Sequence, residues 1–386
     1  DSLFRSLENK PVFLKIFDDT FILEEVNIDL INNYWNEKEK KTKPIKLSVN
    51  TNFKSVLPIN NINNKSVSYA GSKASNFSYL SRLKKELNLN VKIPENAFVI
   101  PFYFYEKHIE SHEIKKLITE LCLNKKEYIE QGIIHIFLEN IRNLILSSQI
   151  DSFLVRDVEN QVKQSNFHRI RFRSSTNAED LEGFNGAGLY DSKTGILDSE
   201  EKSFELAIKR VWASTWNYRA FMEREYFSID QNTVSMAILC HRSFPNEKAN
   251  GVIITKNLYR DNSRGFVINS QYGEKSVVKP QIGVNCDQLI CYSDIRYKND
   301  SFYGKKNIIE YISYSNILPD SIQTVLSSDE INLITRETAK IKKKLYSSFI
   351  KKNKEISYHD YALDIEFKIF GEERNIYLKQ IRPFKN

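Results

Sequence analysis

Three arginines alternate with apolar residues across Arg169, Ile170, Arg171, Phe172 and Arg173, and glycines follow at Gly183, Gly186 and Gly188. The alternation predicts a β-strand with guanidiniums on one face and Ile170 and Phe172 on the other. The whole chain has only 12 glycines, so three within six positions is a local feature. Glycine lets backbone N–H groups approach a ligand closely, and a guanidinium holds two phosphate oxygens at once. Together they suit a polyphosphate. The same residues also fit a turn beside a solvated basic face, because short glycine motifs have many chance matches.

A second constellation lies near the end of the chain. Leu363, Ile365 and Phe367 alternate with Asp364, Glu366 and Lys368, which predicts a strand. Gly371-Glu372-Glu373-Arg374 reads as the turn to a partner strand over Asn375 to Ile381. Such a hairpin sets Glu366 and Gln380 on neighbouring strands with oxygens able to converge. Hard Mg²⁺ takes oxygen ligands of this kind together with nucleotide phosphates and water. Arg382 shares the face of Gln380 and reaches toward terminal phosphates. The competing reading is the polar outer face of an edge hairpin. Lys73 stands ahead of a helical pattern in Ala74, Phe77, Leu80, Leu83 and Leu87. There it adds a point charge to helix N-terminal N–H groups that already favour anions, or is simply solvated.

Further elements must position these groups. Helices are expected near 72–88, 111–121, 126–149 and 200–226. Another follows the capping box Ser327-Ser328-Asp329-Glu330 and carries Ile331, Ile334, Ile341 and Leu345 on one face. Pro11 to Val26 reads as two strands around Asp18-Asp19, Asn36 to Pro44 as a charged loop, and Asn50 to Asn64 as a polar connector. His135, within an apolar helical pattern, reads as packed.

Seven patches occur in a familiar order: Gly71-Ser72-Lys73-Ala74-Ser75-Asn76; Lys92-Ile93-Pro94-Glu95-Asn96-Ala97-Phe98; Arg173-Ser174-Ser175 with Glu179-Asp180-Leu181; Val211-Trp212-Ala213-Ser214; Gly251-Val252-Ile253-Ile254-Thr255; Gln271-Tyr272-Gly273-Glu274 with Val277-Val278; and Asp364-Ile365-Glu366 with Gln380-Ile381-Arg382-Pro383. From about residue 65 onward the chain thereby resembles the nucleotide-binding domain of the pyruvate phosphate dikinase and phosphoenolpyruvate synthase family, a domain shared with rifampicin phosphotransferases and glucan, water dikinases.

The resemblance implies an α/β (α+β) fold of the ATP-grasp type. Residues 61–231 and 232–386 would be two subdomains closing over ATP, preceded by a small β-containing extension over 1–60. It implies that Lys73 contacts ATP phosphates, and that Arg173 and Arg382 are catalytic and bind the transferring phosphates. Gly188 and Ser192 meet the phosphates, Glu274 lies near the nucleotide sugar, and Thr255 belongs to the nucleotide site. His241 falls beside adenine, where many members carry glutamine. Glu366 and Gln380 would hold Mg²⁺. The donor domain phosphorylates a histidine on a separate swivelling domain, which passes the group to a small-molecule or carbohydrate substrate. Ser72 and Ala74 replace glycines around the lysine, and Gln271 and Pro280 replace glycines in the sugar-side loop. Those departures motivate a second expectation, a nucleotide-binding sensor or scaffold that transfers nothing.

Composition fits an enzyme of this kind. Hydrophobic residues make up 41% and charged residues 27% of 386 positions, as in globular proteins. No run is apolar and long enough to span a membrane. A net charge of +7, from 56 basic and 49 acidic residues, is mild and spread out, and no nucleic-acid recognition motif accompanies it. Cys122, Cys240, Cys286 and Cys291 lack zinc-site spacing and read as reduced thiols in a cytoplasmic setting. No histidine lies in the Gly-Gly-x-x-Ser-His pattern of the family's phosphohistidine domain.

Overall fold

The computed structural model describes all residues except 1–4, 9, 18–19, 39–43, 166, 180, 182–183, 185, 187, 261–263, 278–279, 293–307, 351–355 and 385–386. Gly183, Asp180 and Val278 of the motifs above, and the Asp18-Asp19 turn, therefore lie outside the described residues. The chain divides into two units, Asp1–Ile45 and Lys46–Asn386.

In the first unit, β1 (Val12–Ile16) pairs antiparallel with β2 (Phe21–Glu25), and α1 (Ile28–Lys38) follows. The two strands match the expectation. The helix reaches Lys38, into what reads as the charged loop.

In the second unit, β3 (Leu57–Pro58), β4 (Phe98–Ile100), β5 (Arg169–Thr176), β6 (Ser192–Ile196) and β7 (Met236–Arg242) form a five-stranded sheet in the order β3-β4-β7-β5-β6. β7 lies between β4 and β5 although it follows residue 232. A six-stranded sheet, ordered β11-β10-β9-β8-β12-β13, is built from β8 (Ala249–Ile254), β9 (Phe266–Tyr272), β10 (Asp287–Tyr292), β11 (Ile308–Ser313), β12 (Leu363–Phe370) and β13 (Asn375–Pro383). All named strand pairs are antiparallel, which places the fold on the α+β side of the expectation.

The helices are α2 (Val67–Glu86), α3 (Phe102–Ser111), α4 (Ile114–Glu130), α5 (Ile134–Ser147), α6 (Ser152–Gln164), α7 (Phe204–Ala213), α8 (Tyr218–Tyr226) and α9 (Ser328–Ile350). The helix expected over 126–149 is two, α4 and α5, because Gly132 between them takes φ +70. α6 went unexpected although Leu154, Val158 and Val162 form a buried i, i+4, i+8 stripe. Its N-terminus is held by Asp151, whose carboxylate accepts from Phe153 N at 2.9 Å. α9 begins with the expected capping box: Glu330 N donates to Ser327 Oγ at 3.2 Å, and Ser327 N donates to the Glu330 carboxylate at 2.8 Å. His135 is exposed on α5 rather than packed, because Ile134, Leu138, Ile141 and Ile145 take the inner face.

α2 is the element the two sheets share. Ala74, Phe77, Leu80 and Leu83 are buried with Val99 and Leu239 of the first sheet and with Ile365 and Phe367 of the second. Burying each large apolar side chain contributes about 1.5–3 kcal/mol. The helix breaks at Gly71, where φ is 74 and ψ is 172, a region nearly restricted to glycine. A Cβ there would lie 1.9 Å from the Ser175 carbonyl oxygen. Backbone strain and that clash together should cost the Gly71→Ala variant about 3 kcal/mol or more. Gly132→Ala, with open space around a positive φ, should lose only about 1 kcal/mol. Urea midpoints of the two variants compare these costs directly, and equal midpoints would contradict the account.

Candidate functional site

β5 puts Ile170 and Phe172 into the core and turns its arginines toward the other sheet, as the alternation predicts. Arg173 Nη2 donates to Glu366 Oε2 at 2.9 Å and to Gln380 Oε1 at 2.6 Å, and Nη1 donates to the Lys379 carbonyl at 3.3 Å. One guanidinium from the five-stranded sheet thus binds three acceptors on β12 and β13 of the six-stranded sheet. Glu366 and Gln380 are directly paired across the hairpin, so their oxygens converge from adjacent strands.

Lys379 joins them for a reason that simple alternation hides. The register shifts between Glu366 and Phe367, so Gln380 pairs with Glu366 while Leu378 pairs with Phe367. Lys379 is the extra residue, and its Nζ comes within 3.8 Å of Glu366 Oε2. Burial alone would raise the Glu366 carboxyl. The positive charges of Arg173, Lys379, Arg382 and Lys73 outweigh it and hold the group down at about 2. Burial, with Arg173 adding repulsion against the opposing pull of Glu366, lowers Lys379 to about 7.

Arg382 is one pair further along the same face, opposite Asp364, whose Oδ2 accepts from Arg382 Nε at 2.8 Å. Lys73 sits just past the Gly71 break. It pairs with Glu179 and donates to Ser174 Oγ at 3.1 Å. The Ser175 hydroxyl beside it accepts from Ala74 N at 3.0 Å and donates to the Ala70 carbonyl at 2.7 Å. It therefore bridges both sides of the helix break to the strand that carries Arg173. Ser192 is the register partner of Arg173 on β6. Gly188 takes φ 72 and is exposed.

Next to the cluster is a cleft of about 310 Å³ whose lining includes Arg169, Arg171, Thr194, His241, Glu274, Lys368 and Lys379. His241 is buried. Burial first, then the charges of Arg173 and Lys379, push its imidazole well below the usual histidine range, so it is neutral. Its Nδ1 lies 2.7 Å from the Arg242 carbonyl and donates to it. Glu274 Oε1 accepts from Asn246 N at 2.6 Å. Thr255 is not brought to the cluster. Its hydroxyl accepts from Leu363 N at 2.9 Å, and its carbonyl accepts from Lys342 at 2.8 Å. Sequence reasoning missed the roles of Lys379 and Glu179. Only the bulge reveals the first, and Lys73 reveals the second.

A family profile described as the pyruvate phosphate dikinase AMP/ATP-binding domain matches residues 67–386. The chain belongs to that family. It is similar to rifampicin phosphotransferase of Bacillus cereus, 26% identical over 221 residues, which covers 56% of this chain and 24% of that protein. Phosphoenolpyruvate synthase of Pyrococcus furiosus is 22% identical over 263 residues, covering 64% of this chain and 30% of that protein. Phosphoenolpyruvate synthase of Aquifex aeolicus is 25% identical over 363 residues, covering 87% of this chain and 40% of that protein. The chain thus spans between a quarter and two fifths of the length of these relatives. Its family is one of phosphotransferases that bind adenine nucleotides.

Glu366 has a depressed carboxyl, so its contribution to stability is complete above about pH 4.3, the ordinary glutamate value, and is lost as pH falls toward about 2. Near neutral pH, Glu366→Gln takes the carboxylate from the buried Arg173 guanidinium and from Lys379, and should lose about 3 kcal/mol. Denaturation between pH 7 and pH 2 should show the two proteins converging as the native glutamate protonates. A gap that stayed constant would refute the ionic account.

Proposed function

We propose that this chain is the phosphoryl-donor part of a phosphotransferase, an ATP-grasp arrangement that holds MgATP between the two sheets and phosphorylates a histidine on a swivelling domain outside it. The supporting observation is that Arg173 of one sheet meets Glu366 and Gln380 of the other. Phosphoryl transfer asks a protein mainly for positioning and charge neutralisation. Arg173, Arg382 and Lys73 offer that charge to the phosphates, with Gly188 and Ser192 beside them, Glu274 near the sugar and His241 beside the base.

The donor set fits Mg²⁺. One guanidinium nitrogen is within hydrogen-bond distance of both the Glu366 and Gln380 oxygens, so a cation is already accommodated between an ionised carboxylate and an amide oxygen. Bound there, Mg²⁺ would neutralise phosphate charge. Among the described residues no group of three histidine, cysteine or carboxylate ligands is assembled, so the remaining coordination would come from phosphate and water. Final acceptors in this reading are small molecules or carbohydrates. No helix among the described residues is long and apolar enough to cross a membrane.

A second reading, nucleotide binding without transfer, is favoured by Arg173 already filling the metal-ligand oxygens. A swivelling domain from a phosphoenolpyruvate synthase, mixed with the chain and MgATP, separates the two. Acid-labile phosphohistidine supports the donor, and its absence despite tight nucleotide binding supports the sensor.

Calorimetric titration of ATP with Mg²⁺ tests the site. Arg173→Ala should weaken binding about tenfold or more, roughly 1.4 kcal/mol. Arg173→Lys, which keeps charge but not the fork, should fall between. Equal affinity for native and Arg173→Ala would overturn the placement.

A further inference from the structure

The cleft beside the Arg173 cluster carries more positive charge than a neutral base requires. Glu247 is buried against Lys368 in an ion pair, Glu274 accepts from Asn246 N, and Lys379 shares Glu366. Arg169 and Arg171 form no ion pair with any described carboxylate. Among the described residues, Arg171 donates only to the neutral Thr194 hydroxyl, at 3.1 Å, and the buried Arg169 Nε has no hydrogen-bond partner. Seating an uncharged purine against these guanidiniums would remove their water without returning any negative charge, which is costly.

The strand also arranges the charge in a line. Arg169, Arg171 and Arg173 occupy alternate positions of β5, so they share a face and span roughly 13 Å. β6 backs them with Thr194 opposite Arg171 and Ser192 opposite Arg173, and β7 sets neutral His241 opposite Arg171. The row starts in the cleft and ends at Glu366 and Gln380.

We propose that this row is an anion track for a linear polyphosphate longer than the triphosphate of a nucleotide, with one end at Arg173 and the rest along Arg171 and Arg169. The proposal rests on phosphate binding at Arg173, as in the proposed function, and adds a ligand class for the adjoining cleft. Polyphosphate and nucleotide would then compete, since both occupy the Arg173 end.

The test titrates the full chain, with Mg²⁺ present, with tripolyphosphate, linear hexaphosphate and ATP. Hexaphosphate should bind about tenfold tighter than tripolyphosphate and should displace ATP. Arg171→Ala should abolish that preference while tripolyphosphate stays within about threefold of native. Arg171→Lys should keep most of it, which separates lost charge from a disturbed fold. Equal native affinities for the two polyphosphates would overturn the track, as would an Arg171→Ala variant that weakened both polyphosphates alike. If ATP binds and hexaphosphate shows no preference, only the track falls. If ATP also fails to bind the native chain, the donor reading falls with it.

Discussion

The contact of Arg173 with Glu366 and Gln380 is the constraint around which the second unit is arranged. A buried guanidinium is tolerable only when its donors are satisfied and its charge is met. Here a carboxylate, an amide oxygen and a main-chain carbonyl do so, all from the facing sheet. The requirement fixes β5 relative to the β12–β13 hairpin. It also fixes α2, because Ser175, two residues past Arg173, holds both sides of the helix break through one hydroxyl. The position of Lys73 follows from that same hydroxyl.

Charge around Glu366 is shared among several cations, although Arg382 also pairs with Asp364 and Lys73 with Glu179. Glu366 is the hub, surrounded by Arg173, Lys379, Arg382 and Lys73. A single carboxylate in that company stays ionised far into acid, and the lysine beside it loses much of its hold on its proton. Such a group of cations favours a ligand with several negative charges. This agrees with membership of an adenine-nucleotide-binding family.

Much of this was legible in the sequence because the relevant periods are short. Alternation over Arg169–Arg173 gave the strand and its two faces. Alternation over Leu363–Lys368, with the turn at Gly371, gave the hairpin that pairs Glu366 with Gln380. The capping box gave the start of α9. Apart from α6, whose i, i+4, i+8 stripe was open to reading, what escaped depends on events that no local pattern encodes. The bulge that presents Lys379 is a mismatch between two strands. The break between α4 and α5 rests on the backbone angle of one glycine. Thr255 illustrates the opposite difficulty, since a threonine just past a strand end fits a ligand site or a neighbouring main-chain N–H equally well. The structure gives it Leu363 N.

Arg173 already rests on the oxygens of Glu366 and Gln380, so under the proposed reading a metal-bound ligand would arrive by exchange and not by simple addition. The arriving cation would have to displace a guanidinium, and the displaced guanidinium would have to find the incoming phosphate. Each half of that swap would be unfavourable alone: metal without phosphate would strand the arginine, and phosphate without metal would leave the carboxylate facing an anion. The internal hydrogen bonds of the cluster would then act as a coincidence requirement, in which metal and phosphate gain entry only together.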